Sequence, residues 1–178
     1  DAGGRRIQMR TGDGFEINYA YDAMGRLTSK TDANGYTTSY VYDGIGQLIE
    51  VRDAELGIDQ GITTYSYDDA NRMTVVTDPL GAAMTFDYDP IGNHTAETDA
   101  NGQTTTYSYD SLNRLVVITD ALGFTINYTY DPVGNLVTVE DALGTHLHTC
   151  YDARNLPVRQ VLNPTVPDPC GSYATSPA

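Results

Sequence analysis

Tyr-Asp occurs seven times in this chain, at 21–22, 42–43, 67–68, 88–89, 109–110, 130–131 and 151–152, and every interval is 21 residues except one of 25. Self-similarity at a fixed period of this length marks a supersecondary unit that buries its face against copies of itself. With 178 residues filled by such a beat there is no room for a second ordinary domain. The expected organisation is a repeat domain over residues 1–161 followed by an extended tail over 162–178.

Each unit has the same grammar. Four residues after each Tyr stands Gly25, Gly46, Asn71, Gly92, Asn113, Gly134 or Asn155, the residue types that accept positive φ, so a tight turn follows every Tyr-Asp. A second turn is opened by Asp and closed by Gly35, Gly81, Gly102, Gly123 or Gly144. Runs such as Arg114–Thr119 and Thr125–Tyr130, rich in β-branched and aromatic residues, join these turns as strands. The fold class is therefore all-β: stacked hairpins forming a spiralling sheet or β-solenoid of about seven 21-residue repeats.

Strand alternation sets Tyr19 with Tyr21, Tyr40 with Tyr42, Tyr65 with Tyr67, Phe86 with Tyr88, Tyr107 with Tyr109 and Tyr128 with Tyr130 on one side. Stacking then aligns two aromatic columns, with Tyr21, Tyr42, Tyr67, Tyr88, Tyr109, Tyr130 and Tyr151 as the repeat-stacking residues. Leu27, Leu48, Met73, Leu115 and Leu136 fill the adjoining position, where the fourth unit has His94 and hence the weakest face. The long interval adds four residues around Glu55–Gly61, expected as a longer turn.

These residues resemble the RHS or YD-repeat family, from Tyr21-Asp22-Ala23-Met24-Gly25-Arg26-Leu27 through Thr31-Asp32-Ala33-Asn34-Gly35, and the resemblance covers residues from about 14 to 157. It implies a hairpin strip that spirals as repeats are added, forming in long members a hollow shell around a toxin or part of a cell-surface adhesion protein. Family shells often cleave themselves near Asn-Pro and Asp-Pro-x-Gly elements. Here Asn163-Pro164 and Asp168-Pro169-Cys170-Gly171 are similar, but the Tyr-Arg-rich segment that should precede them is absent, so Asp168 reads as loop punctuation.

Net charge of −14 with only 10 Lys and Arg excludes a nucleic-acid surface. No apolar run is long enough to span a membrane. Cys150 and Cys170, the two cysteines, fit a disulfide formed in an oxidising compartment. His146, His148 and Cys150 alternate along one strand as weak candidates for metal ligands. Alternate strand positions lie about 7 Å apart, wide for an undistorted site, and favour solvent-facing histidines beside a disulfide. No metal or other cofactor is therefore expected. No nucleophile elbow or phosphate-binding loop is present, so the chain is expected not to be an enzyme.

The start at Asp1 without Met fits a processed mature protein or an excised fragment. For the former, the expectation is an extracellular or cell-surface structural protein whose partners are copies of itself, paired head to tail through open β edges and the tail into a filament. For the latter, it is a segment of a toxin-encapsulating shell or of a carbohydrate-binding adhesin.

Overall fold

In a computed structural model, residues 3–10, 12, 14–53, 61–163 and 170 are described. Most of the expected long turn, the Pro-rich tail apart from its first two residues and Cys170, and Asp168 lie outside them. Every regular element among the described residues is a strand, and the strands follow one another in sequence order in one antiparallel sheet. The all-β reading therefore holds, and short turns between most successive strands account for the antiparallel, sequence-ordered pairing.

The chain divides into two compact units, residues 1–86 and 87–178. The first contains β1 (Gln8–Arg10), β2 (Glu16–Tyr21), β3 (Leu27–Thr31), β4 (Thr37–Tyr42), β5 (Leu48–Asp53), β6 (Ile62–Tyr67) and β7 (Met73–Thr77). The division falls within β8 (Ala83–Tyr88). The second unit continues with β9 (His94–Thr98), β10 (Thr104–Tyr109), β11 (Leu115–Thr119), β12 (Thr125–Tyr130), β13 (Leu136–Glu140), β14 (His146–Tyr151) and β15 (Pro157–Leu162).

Both turns of a repeat are built alike. Asp22 N–H donates to the Arg26 carbonyl and Gly25 N–H to the Asp22 carbonyl, both at 3.0 Å; the pairs Asp32–Tyr36 and Gly35–Asp32 repeat this at 2.9 and 3.1 Å. This is the three-residue hairpin loop that ends in a left-handed residue, which is why Gly25 (φ 86°), Asn71 (φ 66°) and Asn113 (φ 61°) recur at one position. The opening Asp also holds its turn with one carboxylate oxygen. Asp110 Oδ1 accepts from Leu112 N–H at 2.8 Å and Arg114 N–H at 3.0 Å, and Asp120 Oδ1 accepts from Leu122 at 2.9 Å and Phe124 at 2.8 Å.

Each Tyr-Asp turn adds a bulge just before its Tyr, so Tyr109 faces Leu115 and Tyr130 faces Leu136 while the residues before them keep regular pairing. All five residues of β3, β7, β9, β11 and β13 are half-buried, whereas β2 and β10 alternate with exposed positions near their Tyr ends. Among the described residues the one fully buried side chain is Cys150, at 1% exposure. With no thick core, cohesion comes from contacts between neighbouring hairpins.

The segment with the long interval is bracketed by Asp53, whose N–H donates to the Gly61 carbonyl at 2.7 Å. Gly61 is itself buried against Asp53: a Cβ there would lie 1.9 Å from the Asp53 carbonyl oxygen. Pairing resumes with Arg52 opposite Ile62 and Glu50 opposite Thr64.

Candidate functional site

The repeated surface between one Tyr-Asp turn and the next carries the chain's most regular side-chain chemistry. Six of the repeat Tyr hydroxyls reach back one unit and donate to a backbone carbonyl: Tyr21 to Arg6 (3.0 Å), Tyr42 to Leu27 (3.0 Å), Tyr67 to Leu48 (2.8 Å), Tyr109 to His94, Tyr130 to Leu115 and Tyr151 to Leu136 (2.9 Å each). Burial pushes the Tyr67 and Tyr109 hydroxyls above the ordinary phenol range, which keeps them protonated donors. Equivalent Tyr residues sit on every second strand, about 9–10 Å apart at ordinary strand spacing, so a strand lies between successive rings. His94 occupies such an intervening position, with its ring 5.5 Å from Tyr88 and 4.9 Å from Tyr107.

The residue five places after each Tyr completes the connection. It is Arg26, Gln47, Arg72, Asn93, Arg114, Asn135 and Leu156, with Arg5 at the same place one unit earlier. Arg114 Nε donates to Asp110 Oδ2 of its own turn at 2.7 Å, while its Nη1 donates to the Asp131 carbonyl of the next at 3.4 Å and its guanidinium lies 4.5 Å over the Tyr130 ring. Arg26 repeats this with Asp22, Asp43 and Tyr42. The amides are shorter and reach differently: Asn93 and Asn135 donate to the side-chain oxygens of Asn113 (3.4 Å) and Asn155 (3.1 Å), and Gln47 to the Asn71 carbonyl (3.3 Å).

From Arg26 to Asn135, Arg and amide alternate, and the next turn residue follows suit. Wherever Arg occupies this position, the left-handed turn residue of the next unit is Gly (Arg5 with Gly25, Arg26 with Gly46, Arg72 with Gly92, Arg114 with Gly134). Wherever an amide occupies it, that residue is Asn (Gln47 with Asn71, Asn93 with Asn113, Asn135 with Asn155). Space accounts for part of this, since a Cβ at Gly25 would lie 3.1 Å from Arg5 Nη1 and one at Gly46 would lie 3.5 Å from Arg26 Nη1. A Cβ alone at Gly134 meets nothing within 4 Å. Reach accounts for Asn93 and Asn135, since only Asn offers a short amide an acceptor beyond its Cβ, whereas the longer Gln47 uses the Asn71 backbone carbonyl. A double-mutant cycle on Arg114→Asn and Gly134→Asn is expected to show the double variant less destabilised than the sum of the singles by about 0.5–1 kcal/mol. Additive losses in urea denaturation would refute the coupling.

The carboxylates of these turns are held low. Backbone and guanidinium hydrogen bonds from Arg26, Arg72 and Arg114 bring Asp22, Asp68 and Asp110 below the usual range. Burial pushes Asp89 and Asp131 up, but their combined hydrogen bonds, led by those from Asn93 and Asn135, prevail.

At the last strands, Cys150 and Cys170 are joined as a disulfide. His148 lies beside it, whereas His146 is partly exposed with Nε2 3.8 Å from Glu140 Oε1. Thus the ligand-type atoms that converge, within 4.8 Å of one another, belong to His148, Cys150 and Cys170 rather than to His146, His148 and Cys150. The turn glycines Gly35, Gly81, Gly102, Gly123 and Gly144 all have positive φ and face solvent.

No curated protein matches the chain significantly. The crystal structure of TcdB2-TccC3-TEV aligns with a TM-score of 0.69 at 21% identity over 96% of this chain and 10% of that one. That of TcdB2-TccC3 aligns with a TM-score of 0.63 at 19% identity over 82% and 9%. The Photorhabdus luminescens Tc holotoxin pore gives 0.50 at 22% identity over 92% and 11%. The chain spans about a tenth of the length of these solved chains, and at such identities the likeness is one of fold. The profile described as RHS Repeat matches residues 21–58, 59–83, 88–125 and 112–146, and these segments cover most of the units joined by the ladder. With its turns, strands and period all accounted for by that repeat, the chain belongs to the RHS-repeat family.

Proposed function

We propose that this chain is a non-catalytic wall segment of an RHS-type shell, a strip whose work is to hold a continuous sheet around a protein cargo. The observation that carries this reading is the ladder itself: each unit offers its neighbour a Tyr hydroxyl, a carbonyl and a bridging side chain at fixed register. A wall needs an interface repeated without change, and a catalytic site needs one place unlike the others. The fold shared with chains of Tc toxin complexes supports the same reading. The disulfide fits a protein that passes through an oxidising compartment, at the cell surface or outside it.

A secreted filament is the second reading, favoured by the two outer strands of the sheet, β1 and β15, of which the latter exposes Val158 and Leu162. The composition of these edges weighs against it. The strand β1 has three residues and includes Arg10, and β15 opens on Pro157 and carries Arg159, the features by which edges resist open-ended pairing. The wall reading expects the purified chain to stay dispersed in light scattering and electron microscopy at high concentration. Long regular filaments would replace it with the assembly reading, and a glycan-array signal abolished by Tyr107→Ala in a folded chain would favour an adhesin.

A further inference from the structure

The disulfide at β14 has a neighbour that a purely structural staple does not require. On β14, His148 and Cys150 are two residues apart and so share a face, and Cys170 comes to them from the tail. One ligand-type atom from each lies within 4.8 Å of the other two. All three belong to the second unit. In a tetrahedral zinc site, sulfurs about 2.3 Å from the metal stand about 3.8 Å apart, so opening the disulfide would bring its sulfurs to ligand spacing with a small displacement. His148 Nδ1 is 3.2 Å from Thr138 Oγ1 on β13, a contact that fixes the imidazole plane and leaves a second ring nitrogen for an ion. Cys150 is the most buried side chain among the described residues, and His148 and Cys170 are half-buried, so an ion could reach the site from solvent.

We propose that reduction converts this disulfide into a three-ligand site for a borderline-soft divalent ion of the zinc class, held by His148, Cys150 and Cys170. The conversion balances with an external thiol as reductant. A dithiol gives two electrons and two protons to the Cys150–Cys170 bond and leaves as its own disulfide, and the two new thiols then lose their protons to solvent as the ion binds. Two thiolates and a neutral imidazole cancel the ion's charge and leave a fourth position for water, the ligand number zinc uses in open sites. The consequence is that the tail stays fastened to β14 in both redox states. An S–S bond fastens it when oxidised and a shared ion does so when reduced, alongside the backbone tie in which Asn163 N–H donates to the His146 carbonyl at 2.7 Å.

Cobalt(II) titrated into the full chain is the test, because thiolate–cobalt charge transfer absorbs in the near ultraviolet and the chain has two cysteines in all. After anaerobic reduction and removal of the reductant, one equivalent should produce the band, and the untreated oxidised chain should produce none. His148→Gln is expected to weaken binding at least tenfold while the far-ultraviolet circular dichroism stays that of β-sheet, and His146→Gln should leave binding unchanged. Absence of the band from the reduced chain would overturn the proposal, as would an affinity indifferent to His148→Gln. Displacement of cobalt by zinc at one equivalent completes the assignment.

Discussion

Replacing Gly61 by Ala should destabilise the chain by about 3 kcal/mol or more, the largest loss expected of any single methyl group added to it. A Cβ at this position would lie 1.9 Å from the Asp53 carbonyl oxygen and 2.8 Å from its carbon, atoms that cannot yield without breaking the 2.7 Å bond from Asp53 N–H to Gly61. The proper comparison is Gly35→Ala, where φ is +86° and nothing lies within 4 Å of the added atom. There the cost is conformational alone, about 1–2 kcal/mol. Equal losses at the two positions in urea denaturation would mean that the backbone around residues 53 and 61 relaxes freely, contrary to the geometry.

Acid should unfold the chain over a narrow range. Eight turn carboxylates are lowered in the fold: Asp22, Asp68, Asp89, Asp99, Asp110, Asp131, Asp141 and Asp152. In Asp99, Asp141 and Asp152 the leading cause is the backbone N–H four residues on, with burial opposing it. A carboxylate whose folded pKa is depressed stabilises the fold above its unfolded value, about 3.9, and that contribution is lost as pH falls through the folded value. Tm should therefore hold steady from neutrality to about pH 5 and drop steeply below about pH 4, with a shallower drop in Asp110→Asn. A Tm unchanged between pH 5 and pH 3 would show that the caps contribute nothing through their charge.

Most of the fold was legible because its determinants are local and periodic. An Asp followed three residues later by Gly or Asn specifies a turn wherever it stands, and seven copies in register turn a weak dipeptide into an architecture. The ladder was harder to read. The position five residues after each Tyr holds Arg, Gln, Asn and Leu, which look variable when units are aligned one beneath another. Its regularity appears only when each residue is compared with the turn residue of the following unit, as in Arg114 with Gly134 or Asn135 with Asn155. Likewise, strand alternation grouped His146 with His148 and Cys150. What places Cys170 there instead is a disulfide to a residue 20 positions away in sequence, beyond the last repeat, which no period reports.

The role of Tyr shows the same limit. Alternation put the repeat Tyr residues on one side of their strands, but the two-strand step between units separates their rings, and six of the hydroxyls turn toward a carbonyl one unit back. Cohesion along the strip is thus polar and directional as well as apolar, which fits units whose number can grow without altering any one of them.

That independence is most directly measured by inserting a second copy of residues 88–129 after Thr129, a 42-residue pair of units that preserves the alternation by placing Arg114 before a Gly on both sides of the junction. The lengthened chain should keep its β-sheet circular dichroism, unfold in urea with a larger m-value and show a midpoint at or above that of the original. A 21-residue insertion of 109–129, which sets Arg114 before Asn113, should fall below it. Loss of the β-sheet signal or a lowered midpoint on adding the 42-residue pair would contradict the claim that this chain is a strip of interchangeable units.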